Sequence, residues 1–98
     1  MPTIPYKPSL LKRLCNPEHS VDYLTNVLKE ESQGAFLIAL NNVIEAKELS
    51  VPVLSKKMGV TKQGLYKILS EGGNPRLSTL NQLLASIGMR IRIEESRG

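Results

Sequence analysis

The sequence contains one cysteine and one histidine, and this scarcity excludes several kinds of site. A single cysteine, Cys15, cannot form an intramolecular disulfide, and Cys15 with His19 alone cannot assemble a metal site. Carboxylates clustered at metal-ligand spacing and a G-x-x-x-x-G-K phosphate loop are also missing. We therefore expect a protein that is not an enzyme and that holds no metal or cofactor.

Long apolar runs are missing as well. No stretch approaches the roughly 20 apolar residues of a membrane-spanning helix, and the N-terminal residues lack the apolar segment of a secretory signal. The 98 residues suffice for one domain with a single core, and the apolar fraction of 41% is typical of soluble globular proteins. We expect a cytoplasmic protein without a membrane partner.

Basic residues are concentrated in the second half of the chain. Residues 1–50 contain five Lys or Arg and six Asp or Glu, whereas residues 51–98 contain eight and three. The net charge of +4 is by itself a weak indication of nucleic-acid binding, but charge of different sign in the two halves indicates different roles. The second half is therefore the candidate for contact with nucleic acid.

Residues 50–70 have the pattern of two short helices joined by a tight turn. Ser50 can cap the first helix through its hydroxyl, and Gly59 can supply the left-handed conformation that ends it. Thr61 can cap the second helix, with Val60 as an apolar wedge between the two. Apolar positions recur at helical spacing: Val51, Leu54 and Met58 in the first helix, and Leu65, Ile68 and Leu69 in the second. This pattern predicts a helix-turn-helix motif at about residues 50–70.

The opposite side of the second helix carries side chains suited to DNA. They are Lys62, Gln63, Tyr66, Lys67 and Ser70, and no carboxylate occurs before Glu71. A surface that meets phosphates needs this charge bias, and Gln, Lys and Ser can hydrogen-bond to base edges. The alternative is an ordinary solvated helix face that lacks acids by chance. Because the turn, the caps and the charge agree, we favour DNA contact.

The rest of the chain predicts further helices, and thus an all-α fold of about five helices. Residues 1–15 form an N-terminal arm, extended over residues 1–8 by three prolines, with one or two helical turns over 9–15. The arm is either a loose tail or a partner-binding segment.

Residues 16–98 form a single helical DNA-binding domain. Asn16 and Ser32 cap helices over about 17–31 and 33–47, and another helix covers about 78–87. Five residues of these segments are among those expected to face the core: Val21, Leu24, Val27, Leu28 and Leu77.

Residues 89–94 alternate apolar and charged side chains, which predicts a short, half-buried C-terminal β-strand. No other segment offers this strand a partner within the chain, and an unpaired strand leaves its backbone groups without hydrogen bonds. Pairing with the same strand of a second copy gives an antiparallel ribbon about a two-fold axis. We therefore expect a homodimer held by Met89, Ile91 and Ile93; a frayed tail is the alternative.

The motif and the segment after it resemble the Cro/Xre-type helix-turn-helix of phage repressors. The matching residues are Leu54, Gly59, Val60, Thr61, Leu65, Tyr66, Lys67 and Ile68, followed by NPRLSTL at 74–80. Ser55 departs from the repressor pattern, which favours alanine there. The whole layout from about Tyr6 to Glu95 resembles addiction-module antidote proteins, the HigA-like antitoxins. The features that carry this likeness are Asn16-Pro17-Glu18, Leu65-Tyr66-Lys67, Gly73-Asn74-Pro75 and the terminal Arg/Ile strand.

The resemblance implies a DNA-binding antitoxin of a type II toxin–antitoxin module. Such a protein neutralises a small RelE/ParE-like toxin and, as a dimer on a palindromic operator in double-stranded DNA, represses its own operon. The alternative is a stand-alone phage-type transcriptional regulator without a toxin partner. For a basic toxin, the acids of the N-terminal half offer a docking surface, although they can equally be a solvated helix face: Glu18, Asp22, Glu30 and Glu31.

Nine residues are the candidates for DNA contact: Thr61, Lys62, Gln63, Tyr66, Lys67, Asn74, Arg76, Ser78 and Thr79. Gln63, near the start of its helix, is suited to bidentate pairing with adenine, and Lys62 and Lys67 to guanine or phosphate. Tyr66 can contact a thymine methyl group or a phosphate. The other five lie at helix starts or in the turn before one, where side chains and backbone amides commonly bind phosphates.

Overall fold

Six helices make up the regular structure of residues 6–96, the part of the chain that the computed structural model describes. They are α1 (Tyr6–Leu14), α2 (Pro17–Glu30), α3 (Gln33–Ala46), α4 (Val51–Met58), α5 (Lys62–Ile68) and α6 (Leu77–Ser86). The all-α prediction is therefore confirmed for the described residues, with one helix more than expected. None of these helices has the length and apolar character that crossing a membrane requires.

The additional helix is α1, which begins earlier than the sequence indicated. Pro8 was expected in extended chain, but it occupies the first turn of α1, where its missing N–H breaks no hydrogen bond. Leu10 and Leu14 are buried, and α1 packs against α2 and α3. The Nζ of Lys7 lies 3.0 Å from an Oε1 of Glu45 on α3. Residues 1–5 of the predicted arm lie outside the described residues.

The starts of α2 and α3 agree with the predicted caps. The Oδ1 of Asn16 accepts a hydrogen bond from the backbone N–H of Glu18 at 2.8 Å, and the Oγ of Ser32 accepts one from Ala35 at 3.1 Å. Such bonds satisfy amides that have no partner inside the helix. Both helices end one residue earlier than expected, at Glu30 and Ala46.

The core is built around α3. Eight of its residues are buried, and both α1 and α2 pack against it. The most deeply buried large side chains of the described chain come from α1, α3, α5 and α6: Leu14, Leu37, Leu40, Val43, Ile44, Leu65 and Leu83. A single apolar core therefore joins the first helices to those of the basic half.

The buried stripe of α2 differs from the predicted one. Val21 and Leu28 are 47% and 63% exposed, whereas Ser20 is fully buried beside Leu24. The Oγ of Ser20 donates a hydrogen bond to the carbonyl oxygen of Leu14 at 2.6 Å, so its burial leaves no unsatisfied hydroxyl. Because a serine can take a core position in this way, the helix is rotated away from the stripe that hydrophobicity alone predicts.

The predicted C-terminal strand is not seen. The segment after α6 has no regular secondary structure up to residue 96, because within the described chain no second strand pairs with it. Met89 is half-buried against the core, and its N–H donates to the carbonyl oxygen of Leu84 at 2.8 Å. Ile91 and Ile93 are 42% and 92% exposed. Leu77, also expected in the core, is 67% exposed at the start of α6.

The loop between α5 and α6 passes very close to the end of α5 at Gly73. A Cβ atom added to Gly73 would lie 2.0 Å from the carbonyl oxygen of Ile68, whereas one added to Gly72 would meet nothing within 4 Å. Gly73 also anchors the loop to α3, because its carbonyl oxygen accepts a hydrogen bond from the Nε2 of Gln33 at 3.3 Å. Only a glycine fits this position without moving the backbone.

We expect Gly73→Ala to lower the free energy of unfolding by about 1–3 kcal/mol, the usual cost of forcing an atom into filled space. Gly72→Ala is the matched control and should stay within about 0.5 kcal/mol of the wild type, because its added methyl group points into open space. Urea denaturation followed by far-UV circular dichroism measures both. Equal losses for the two variants would contradict the close approach.

Candidate nucleic-acid interface

Helices α4 and α5 pack against each other and are joined by the three residues 59–61. Gly59 adopts a left-handed conformation with φ 72°, and its N–H is directed at the carbonyl oxygens of Ser55 and Lys56. The N–H of Val60 donates to the carbonyl oxygen of Ser55 at 3.0 Å, and Val60 itself is half-buried against the core. These bonds close the end of α4 and turn the chain directly into α5.

The two helices begin differently. The Oγ1 of Thr61 accepts a hydrogen bond from the N–H of Gly64 at 2.9 Å, which confirms the predicted cap of α5. The predicted hydroxyl cap of α4 is wrong, because Ser50 has the extended backbone of a cap residue but makes no side-chain cap bond. Pro52 explains part of this difference, since it removes the N–H of the second helical position, which a capping hydroxyl often binds.

Ser55, the departure from the repressor pattern, is accommodated in the packed side of α4. Its side chain is 4% exposed, and its Oγ donates to the carbonyl oxygen of Pro52 at 2.9 Å. The hydroxyl is therefore satisfied within its own helix, and the position can be buried as an alanine would be.

Leu65 determines which side of α5 faces solvent. It is fully buried, Leu69 just after the helix is 4% exposed, and Ile68 is half-buried. Four of the candidate residues are exposed on the remaining surface of the helix: Lys62, Gln63, Tyr66 and Lys67. Ser70 is half-buried, and its Oγ donates to the carbonyl oxygen of Lys67 at 2.6 Å, so this side chain closes the helix end.

The surroundings of α5 are cationic. Residues 51–70 contain four lysines, all exposed, and no carboxylate. Lys56 and Lys57 lie in the last turn of α4, and Lys62 and Lys67 lie on α5. The region can therefore attract phosphate groups, and their approach does not require the unfavourable desolvation of a nearby carboxylate.

Of the other candidates, Thr61 precedes α5, and the remaining four lie in the loop before α6 and in its first turn. Thr61, Asn74, Arg76 and Ser78 are exposed, and Thr79 is half-buried. Arg76 occupies the cap position of α6 but makes no side-chain cap bond. Asn74 and Pro75 line a shallow groove against the end of α2 and the start of α3, together with Leu28 and Gln33. Asn74 is thus placed beside α2 and α3 as well as beside the start of α6.

An exposed apolar residue on α4 was not identified from the sequence. Val53 is 57% exposed and lines a groove between α4 and α6. Its exposure could have been predicted from its position, because Val53 does not belong to the apolar stripe formed by Val51, Leu54 and Met58. Among the described residues, no group of three or more His, Cys, Asp or Glu side chains is placed to hold a metal ion.

Comparison with known proteins identifies a family. A family model described as probable addiction module antidote protein matches residues 8–95. An uncharacterized protein of Haemophilus influenzae is 28% identical over 86 residues, which cover 88% of this chain and 87% of that protein. No solved structure matches the chain significantly.

We expect Thr61→Ala to lower the free energy of unfolding by about 1 kcal/mol, because it removes the side-chain bond that starts α5. Ser50→Ala is the matched control, since it shortens a hydroxyl residue at the other helix start without removing a cap bond, and it should cost less than about 0.5 kcal/mol. Chemical denaturation of the two variants measures the difference. A larger loss for Ser50→Ala would contradict this assignment of the caps.

Proposed function

The chain belongs to the family of probable addiction module antidote proteins, and from this membership we propose that it is the DNA-binding antitoxin of a type II toxin–antitoxin module. Membership in an antidote family indicates an antitoxin with a toxin partner. We further propose that it is HigA-like, neutralises a RelE/ParE-like toxin, and represses its own operon as a homodimer on a palindromic operator.

We assign residues 50–70 to a Cro/Xre-type helix-turn-helix with α5 as its reading helix. The observation that carries this assignment is the composition of the exposed side of α5, which has basic and amide side chains and no carboxylate. The opposite side of the helix is fixed in the core by the fully buried Leu65. A helix of this kind enters the major groove with its N-terminal residues nearest the base edges. An exposed face made of lysine, glutamine and tyrosine meets that requirement.

Within this interface the residues have separate roles. Gln63 pairs with adenine through its amide, and Lys62 and Lys67 contact guanine or phosphate. Tyr66, whose side chain is 53% exposed, contacts a thymine methyl group or a phosphate. Five residues near the starts of α5 and α6 bind the backbone: Thr61, Asn74, Arg76, Ser78 and Thr79. Because these contacts release counterions from DNA, affinity should fall as salt rises.

Dimerisation completes the operator site. In the proposed dimer, residues 89–94 of two chains pair as an antiparallel ribbon, with Met89, Ile91 and Ile93 on its apolar side. The exposure of Ile91 and Ile93 in the single chain supports this proposal, because a second chain would remove both from water. The two α5 helices should then lie about 34 Å apart, one turn of the duplex.

The toxin is proposed to dock on the acidic side of the N-terminal half. Glu18, Asp22 and Glu30 on α2 and Glu31 just after it are all exposed. A toxin that cleaves RNA is basic, so opposite charges would steer the two proteins together and raise the rate of association. This surface lies on a different helix from the proposed reading helix.

We expect Gln63→Ala to weaken binding to the operator by about 1–3 kcal/mol and to relax the preference for adenine at one position of each half-site. Asn26→Ala serves as the control, because it removes an exposed side-chain amide from α2, outside the proposed DNA interface. Footprinting locates the operator, and gel-shift titrations with single-base variants at fixed salt measure the effect. An unchanged operator preference in Gln63→Ala would remove this residue from base recognition.

We expect the chain to co-purify with a small basic protein encoded in the neighbouring reading frame. Glu18→Lys combined with Asp22→Lys should slow their association about tenfold, with a smaller change in dissociation, because steering acts on the encounter. Glu48→Lys makes the same kind of charge change outside α2 and should have little effect. If no such protein co-purifies while operator binding is retained, the chain is a stand-alone regulator.

A further inference from the structure

The α4–α6 groove, between α4 and the C-terminal half of α6, is an apolar surface without an assigned occupant. Val53, Leu54 and Met58 line it from α4, and Ala85 lines it from α6. Val53 is 57% exposed in this groove, and Lys57 also lines the groove from α4. Burial of such an exposed aliphatic side chain against another apolar group is favourable, because it removes apolar surface from water.

The C-terminal tail, residues 89–96, carries two isoleucines, Ile91 and Ile93, that are exposed in the single chain. Met89 is held against the core by the hydrogen bond of its N–H to the carbonyl oxygen of Leu84, and residues 90–96, which follow it, are exposed. In an extended tail, residues 89, 91 and 93 share one side. Ile93 is 92% exposed, so the tail does not insert this side chain into the groove of its own chain.

We propose that the α4–α6 groove receives Ile91 and Ile93 from the tail of a second copy of this chain, so that two chains exchange tails around a two-fold axis. The inference rests on the homodimer of the proposed function and deepens it, because it names the surface on which the dimerisation residues pack. The two tails can still pair as a ribbon, since their backbones bond to each other while their apolar side faces the grooves.

The position of the groove favours a second copy over an unrelated protein. Ala85 and Ser86 line the groove at the end of α6, and only the turn at Ile87 and Gly88 separates them from the tail. Groove and tail therefore lie at the same end of α6. Each chain has one α4–α6 groove and one tail. In two copies related by a two-fold axis, each tail can therefore fill the groove of the other chain, and no groove or tail is left exposed.

Charge also favours the tail as the occupant. Glu94 and Glu95 follow Ile93 directly, whereas Lys56 and Lys57 are the charged residues of α4. Glu95 shares the side of Ile93 in an extended tail, so with Ile93 beside Val53 its carboxylate comes near the ammonium group of Lys57 in the groove, which has the opposite sign. Arg90 and Arg92 alternate with the isoleucines and face away from the groove, so the basic residues of the tail are not forced against the lysines.

The first test measures dimerisation by sedimentation equilibrium of the full chain. Val53→Asp and Ile93→Asp should each raise the dimer dissociation constant about tenfold or more, because each places a carboxylate in the apolar contact. Val53 is the third residue of α4, where an acid is favourable to the helix, so the variant should remain folded by circular dichroism. Val21→Asp, at a valine of similar exposure on α2, is the control and should dimerise normally.

The second test uses a disulfide between chains. In a Cys15→Ser background, Val53→Cys and Ile93→Cys are introduced into two separately tagged chains, which are mixed and mildly oxidised. A disulfide between the two differently tagged chains is expected at least about tenfold faster than one between Val21→Cys and Ile93→Cys chains, because only the first pair is brought into disulfide range.

Three results would overturn the proposal. Normal dimerisation of Val53→Asp, even where Ile93→Asp is impaired, would mean that the tails pair only with each other; the homodimer of the proposed function would survive. Equal rates of disulfide formation for Val53 and Val21 would lead to the same conclusion. A wild-type chain that stays monomeric at all concentrations would overturn both the groove and the proposed dimer.

Discussion

The burial of Leu65 is the constraint on which the proposed interface depends. Helix α5 has seven residues, fewer than the roughly 12–15 that an isolated helix needs to be even marginally stable in water, so packing must hold it in place. Leu65 and Leu69 provide that packing, at 0% and 4% exposure. Once they are buried, the period of the helix leaves Lys62, Gln63 and Tyr66 facing solvent. The outward display of the candidate DNA-binding residues is thus a consequence of the core.

The same core explains why the acidic and basic halves form one body. Helix α3 is the most buried element, and residues from α1, α5 and α6 join its apolar cluster. The hydrogen bond from Gln33 to Gly73 adds a link between the start of α3 and the loop that precedes α6. The proposed toxin surface on α2 and the proposed DNA surface on α5 are therefore joined through one apolar core, although they lie on different elements.

Three of the four predicted side-chain caps followed from local chemistry in the sequence, whereas the burial of Ser20 in place of Val21 and Leu28 did not. The caps at Asn16, Ser32 and Thr61 follow from hydrogen bonds within two or three residues, so the residue types suffice to locate them. Ser20 could not be placed in the core in advance, because its hydroxyl is satisfied by Leu14 of another helix. The tail is a further case, since a strand over residues 89–94 depends on a second chain. For the candidate site, the pattern predicted which side chains of α5 are exposed, whereas their contact with DNA stays a prediction because it involves a second molecule.

Helix α4 connects the surfaces that the proposed function uses. Its inner side is buried with α5 through Leu54, while its outer side carries Val53 in the α4–α6 groove. Because an eight-residue helix is nearly rigid, a tail bound in the groove would hold α4, and α4 would hold α5 at a set position relative to the two-fold axis. A palindromic operator demands such a set position, since its half-sites repeat after one duplex turn. In this arrangement the dimer contact does more than join two chains: through α4, it sets the distance between the two reading helices.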